Sequence, residues 1–277
     1  GDDGMLAIRS LGGFDPRTLA AQRVELLTRA GRVPGVVGTK KSKTKRGEDP
    51  KPYEFGDLFI DIGAQDGEEA RQVVRPGDAA IIAGTPLDLR NGRIASRSLD
   101  NRLGSYVALE VARRVADEGG TAGDVAGVAA VQEEVGDFAG SRTMAFELQP
   151  TVAVAVDVTH ATDVRGADVE DDGDHRLGSG PAIGRGSTLH PKIFELLYET
   201  AEAEGIAATV EVSRGHTYTD ADAVHLSRAG VATGLVSIPL RYMHTPVEVV
   251  HLDDVENVVK LLVAFARRLE PGLSFAR

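Results

Sequence analysis

The spacing of apolar positions along the chain changes once, near residue 96. Before that point the apolar runs are short and punctuated by turn residues. Met5 to Ser10 alternates apolar with polar side chains, Val24 to Leu27 and Leu58 to Ile62 are compact apolar runs, and Ala79 to Ala83 follows the tight turn Arg75-Pro76-Gly77-Asp78. Runs this short, separated by Gly and Pro, predict the strands of a small β-barrel or sandwich. One short helix, Asp66 to Val73, interrupts them.

Beyond residue 96 helical and strand periods alternate. The pattern predicts helices over Leu99 to Asp117, Ser141 to Leu148, His190 to Glu204, Asp220 to Arg228 and Asp253 to Leu269. Between them, apolar strands are predicted over Asp124 to Val131, Thr151 to Val158, Ala208 to Val212 and Val231 to Ile238. In the last helix Val255, Val258, Val259, Leu262 and Phe265 fall on one stripe, and Asp253 and Asp254 sit in the first turn, where they favour the helix dipole. Strands apolar on both faces, alternating with helices, predict an α/β domain with a mostly parallel central sheet flanked by helices. The expected organisation is therefore a β-rich domain over 1–95 and an α/β domain over 96–277.

Composition narrows the chemistry. The 277 residues include no cysteine, which excludes disulfides, thiolate nucleophiles and sulfur-ligated metals. A metal site must therefore be built from His, Asp and Glu. The net charge of −11 argues against nucleic acid or an anionic membrane as partner. The chain has neither a long apolar run nor a signal-peptide pattern, and a cytoplasmic protein is the expectation. Five of the seven lysines fall between Lys40 and Lys51. That polar stretch reads as a solvated hairpin tip, with anion binding or partner docking as the sharper reading.

In an α/β sheet, ligands bind where the loops after the strands converge. The acidic and imidazole groups expected there are Asp100, Glu133 and Glu134, Asp157 with His160 and Asp163 beyond it, and His244. Taken singly, Asp100 reads as a helix N-cap, the Glu pair as a solvated loop and His244 as a hydrogen-bonded structural histidine. Asp157 follows an apolar run, and a carboxylate buried there needs a cation or donors. Taken together they form the donor set that hard divalent metals and zinc accept. His216 and His225 flank Thr219-Asp220-Ala221-Asp222 and are candidates to line the site, whereas His175, His190 and His251 are expected at the surface. Asp168 to Gly173 begins like a calcium loop, but the twelfth position is Ser179, so an acidic surface loop is predicted.

Five stretches in order resemble the M42 family of metallo-aminopeptidases: Ser98 to Gly104, Val131 to Gly136, Val156 to Thr159, Thr219-Asp220-Ala221 and Ile238 to Pro246. Gly12 to Arg17 and Leu58 to Ala64 resemble that family's smaller β-domain. The resemblance implies a catalytic α/β domain joined to a β-barrel-like dimerisation domain, and homo-oligomers built from dimers, up to dodecamers. It implies hydrolysis of the N-terminal bond of short peptides with two divalent ions, zinc or cobalt, with manganese also suited. Asp100 resembles the carboxylate that bridges the two metals, Glu134 and His244 the other ligands of one, Asp157 a ligand of the second, and Glu133 the general base. One departure concerns the family's upstream His-x-Asp motif, which has no match because the first histidine is His160. The expectation is a chain that begins inside the β-domain, with His160 the candidate replacement for the lost ligand. The rival readings are a glycoside hydrolase, which the absence of Trp disfavours, and a catalytically degenerate assembly subunit.

Overall fold

The computed structural model describes residues 1–40 and 52–275, so most of the lysine-rich stretch lies outside the described residues. The chain forms two compact units: 1–86 with the turn 244–247, and 87–243 with 248–277.

In the smaller unit the elements run β1 (Leu6–Ala7), α1 (Pro16–Leu19), β2 (Arg23–Thr28), β3 (Gly31–Thr39), β4 (Leu58–Asp61), α2 (Gly67–Val73) and β5 (Ala79–Ile82). The sheet order is β1-β4-β3-β2-β5, antiparallel throughout. Leu19, Val24, Leu26, Val37, Leu58, Ile60 and Val74 form its core. Asp15 and Asp66 cap the two helices by accepting from backbone amides of their first turns. Strand β3 carries no apolar alternation, because Gly31, Pro34, Gly35 and Gly38 interrupt it; it exists through its pairing with β2 and β4. Of the stretch Met5 to Ser10 only Leu6–Ala7 finds a ladder partner, in β4.

The larger unit runs β6 (Leu87–Leu89), β7 (Arg93–Ser96), α3 (Leu99–Asp117), α4 (Ala139–Leu148), β8 (Val152–His160), α5 (Val169–Asp172), β9 (Ala182–Gly186), α6 (Pro191–Ala203), β10 (Thr209–Ser213), α7 (Ala221–Val224), β11 (Ala232–Arg241), β12 (Glu248–His251) and α8 (Leu252–Arg267). Strands β6 and β7 belong here because β7 pairs with β12 and β6 with β7. The seven-stranded sheet is mixed. β8 pairs β11 and β9 pairs β10 in parallel, while β12, β7 and β6 continue the sheet antiparallel. β11 is buried along nearly its whole length; α6 and α8 pack against it and α3 against the adjacent β8 and α8, joining Val107, Ile193, Leu197, Val258, Val259 and Leu262 in one core. Among the described residues no helix is long and apolar enough to cross a membrane.

Five expectations are corrected. Asp124 to Val131 forms no strand; it pairs with no neighbouring ladder, Val131 is 63% exposed, and Gly127 abuts the Ala108–Leu109 backbone of α3. Helix α7 is a single turn rather than a span to Arg228. Asp157 lies inside β8, which continues to His160, rather than at a strand end. His175 and His190 are buried, not superficial: His175 Nδ1 lies 2.7 Å from the Thr209 hydroxyl, and His190 caps α6 while its Nε2 meets the Phe275 carbonyl at 3.0 Å. The acidic stretch Asp168 to Gly173 is ordered into α5, with Asp168 accepting from the amides of Glu170 and Asp171.

Candidate metal centre

Asp100 does not act as the N-cap that its position suggested. Ser98, in the left-handed region at φ 56°, takes that place, and the backbone of Asp100 and Asn101 is non-helical within the first turn of α3. Three bonds hold this irregular turn. The Asp100 amide donates to the Glu248 carboxylate on β12 at 3.1 Å, Asn101 Nδ2 donates to the Val156 carbonyl on β8 at 2.8 Å, and Asn101 Oδ1 accepts from the Gly104 amide at 2.8 Å. The side chain of Asp100 is thereby referenced to two strands of the sheet.

Glu133 and Glu134 sit in a turn, not at the end of a strand. Gln132 at φ 67° opens the turn and Gly136 at φ 85° closes it, with the Gly136 amide donating to the Glu133 carbonyl at 2.9 Å. The Phe138 amide donates back to the Gln132 carbonyl and the Gly140 amide to the Val131 carbonyl, each at 3.1 Å. The turn and the start of α4 are thus one hydrogen-bonded unit. His244 lies in the short turn between β11 and β12 and adopts φ 60°. Just before it, the Arg241 guanidinium grips Asp163 at 2.6 and 2.9 Å.

The structure brings Asp100, Glu134 and His244 together: one ligand atom from each lies within 4.8 Å of the others. Asp157 stands apart from that triad, but not electrostatically. Its side chain is buried, 8% exposed. Desolvation pushes its carboxyl well above the usual carboxylate range, and the charges of Asp100, Glu133 and Asp220 push the same way, while the Val158 amide opposes them. Asp220 is likewise raised by burial, against a hydrogen bond from Ser141. It is a site neighbour that the sequence reading quoted without giving it a role. Its neighbours in the chain, Thr219 and Ala221, are both buried.

Several candidates lie elsewhere. His160 is exposed and is not part of the triad. Asp163 is committed to Arg241. His216 is exposed and sits 3.5 Å from Asp222, and His225 Nδ1 meets the Ala221 carbonyl at 3.0 Å.

The donor set fits a divalent cation. Two carboxylates and an imidazole converge, and further carboxylates close enough to raise Asp157 surround them. Acidic groups crowded and partly desolvated in this way are mutually destabilising unless a cation compensates them. Oxygen and nitrogen donors without sulfur suit zinc, cobalt and manganese.

Comparison with known proteins agrees in kind. The M42 glutamyl aminopeptidase family matches residues 1–261. A lysyl aminopeptidase of Pyrococcus furiosus is 35% identical over 278 residues, covering 97% of this chain and 77% of its own. Among solved structures, the aminopeptidase APDkam598 of the archaeon Desulfurococcus kamchatkensis superposes with a TM-score of 0.86 at 40% identity, covering 96% of this chain and 74% of that one. The TET1 peptidase of Pyrococcus horikoshii, which can assemble into a tetrahedron or a large octahedral shell, has a TM-score of 0.80 at 30% identity, over 97% of this chain and 78% of its own.

Proposed function

The chain belongs to the M42 glutamyl aminopeptidase family, and from that premise we propose how its own residues carry out metal-dependent aminopeptidase chemistry. The observation that carries the reading is the convergence of Asp100, Glu134 and His244. These three hold one divalent ion. Asp100 together with the buried Asp157 offers carboxylates to a second. When bound, such ions supply Lewis acidity and make water more acidic.

Glu133 takes the proton of the attacking water on its carboxylate and returns it to the departing amine, as a general base and then a general acid. The turn that joins Gln132, Gly136 and Phe138 by backbone bonds fixes Glu133 relative to its neighbour Glu134, so base and ligand are set by one local structure. The carboxylate of Glu133, whose charge reaches Asp157, also favours a substrate that arrives with a cationic free amino terminus.

The test is release of the N-terminal residue from a short peptide with a free amino group, compared with the same peptide acetylated. Hydrolysis of the free peptide alone, lost on chelation and restored by zinc, cobalt or manganese, is the expected result. Chelator-insensitive cleavage of a β-glucan would instead establish the glycosidase reading. Failure to take up metal would establish the degenerate assembly subunit. The smaller unit serves as the dimerisation domain of a homo-oligomer in this proposal, in keeping with the assembly of the Pyrococcus horikoshii relative; sedimentation of the purified chain measures it.

A further inference from the structure

Helix α3 opens at the metal centre without the cap its sequence offers. Ser98 holds the N-cap position, but its side chain makes no capping bond. The Asp100 amide is one of the first-turn N–H groups that no helical carbonyl reaches. It donates instead to Glu248 Oε2 at 3.1 Å, from 148 residues away in the chain. Glu248 begins β12, is 3% exposed, and stands opposite Ser96 in the ladder with β7. The residues after it, Val249 and Val250, are buried in the core, and Val250 also pairs with Leu240 of β11. The sheet therefore fixes β12, and with it Glu248, from both edges.

That anchorage matters because Asp100 has no helical backbone to aim it: Asp100 and Asn101 both depart from helical φ and ψ. Glu248 holds the turn at the Asp100 amide, and Asn101 holds it one residue on, through the Val156 carbonyl and the Gly104 amide. With the backbone tied on both sides, only the side-chain torsions of Asp100 remain to set its carboxylate. The residue type points the same way. An amide needs only a neutral acceptor, whereas a carboxylate gives up hydration when it is buried. Placing one more acid behind Asp100, in a centre that already brings Asp100, Glu133 and Asp220 to bear on Asp157, is favourable where cations fill that centre.

We propose that Glu248 is a positioning residue of the metal centre, which holds the Asp100 backbone and so sets the carboxylate that both ions share. The proposal rests on the two-ion reading above. In that reading Glu134 and His244 serve one ion and Asp100 serves both. Loss of the Glu248 contact therefore weakens both ions together, whereas loss of Glu134 or His244 acts first on one. Groups that support a metal ligand in this way are typically worth roughly 10–100-fold in metal affinity.

The experiment compares the purified wild-type chain with Glu248→Gln, Glu248→Leu and Glu134→Gln. Native mass spectrometry counts bound zinc as free zinc is raised, and calorimetry measures melting in chelator. Glu248→Leu deletes the acceptor, and both ions should bind about 100-fold more weakly; Glu248→Gln keeps a neutral acceptor and should lose about tenfold. In both variants the two ions should be lost in step, while Glu134→Gln keeps one ion at zinc concentrations where the other has left. Glu248→Gln should melt no lower than the wild type in chelator, since the change removes a buried carboxylate. Wild-type zinc affinity in Glu248→Gln overturns the proposal, and this variant decides the matter should Glu248→Leu fail to fold. Lower melting in chelator with zinc affinity retained makes Glu248 a helix cap and nothing more, and overturns the proposal, as does loss of only one ion. A wild-type chain that takes up fewer than two ions overturns the two-ion reading and the proposal with it; a wild type that takes up two, matched by its Glu248 variants, overturns the proposal alone.

Discussion

Glu133 and Glu134 are chemically identical and adjacent, so any difference in their work comes from direction. The turn opened by Gln132 at φ 67° supplies it, and only Glu134 joins Asp100 and His244 within 4.8 Å. Glu133→Gln keeps the shape and removes the base. We expect turnover to fall by about 10²–10⁴-fold, the usual worth of a general base, while metal content measured by mass spectrometry stays at the wild-type level. Glu134→Gln and His244→Ala should lose metal itself, visible as a lower stoichiometry and a weaker response to added zinc. Normal turnover in Glu133→Gln would remove that residue from the mechanism. At this scale the sequence was readable where a polar residue broke an apolar run, as Asp157 does. It was unreadable for Asp220, His175 and His190, because their burial is decided by elements distant in the chain, such as β10 beside His175 and the terminal Phe275 beside His190.

Among the elements, α3 shows how a helix can approach a strand closely enough to aim a ligand. Gly104 faces β8, and a Cβ there would meet the Val156 carbonyl and the Asn101 side chain. Gly104→Ala should therefore cost about 1–3 kcal/mol, the typical penalty of an overpacked site, and should weaken metal binding because Asn101 and Asp100 move with the helix. Calorimetry and metal titration of the variant check both effects. The opposite end of α3 is tied to α8 by the bidentate pair of Arg114 with Glu256, both bonds 2.8 Å. The Arg114 guanidinium holds the Glu256 carboxyl below its ordinary value. A depressed acid contributes stability above its unfolded value near 4.5, and loses it as pH falls through the folded one. Glu256→Gln should thus be less stable than the wild type at neutral pH, by no more than the ~0.2–1 kcal/mol of an exposed pair, and the difference should vanish under acid. Helices and buried strands with long periods were legible in the sequence, as α3, α6, α8 and β11 were. Strands β3, β6, β7, β9 and β12 were not, since each is short or broken by Gly and Pro and is made by its ladder partner. Asp124 to Val131 is the converse case, a strand-like sequence without a ladder.

For the molecule as a whole, the crowded carboxylates set stability against function. Without a cation, the folded chain must hold Asp157 in a desolvated position facing the charges of Asp100, Glu133 and Asp220, whereas the unfolded chain exposes all four to water. Asp157→Asn removes one of these charges at nearly constant volume. In the presence of a chelator the variant should therefore be more stable than the wild type, because it no longer holds a carboxyl group against its burial and against the neighbouring charges. Adding a divalent ion should reverse the order, because an ion that binds only the folded state stabilises the protein in proportion to the logarithm of its concentration over Kd, and the variant offers it one carboxylate fewer. The crossing of the two melting curves, measured by calorimetry with chelator and then with saturating zinc, is the diagnostic. If Asp157→Asn melts lower than the wild type in chelator, the acidic cluster is not held together at an energetic cost, and the argument that it is built to receive cations loses its physical basis.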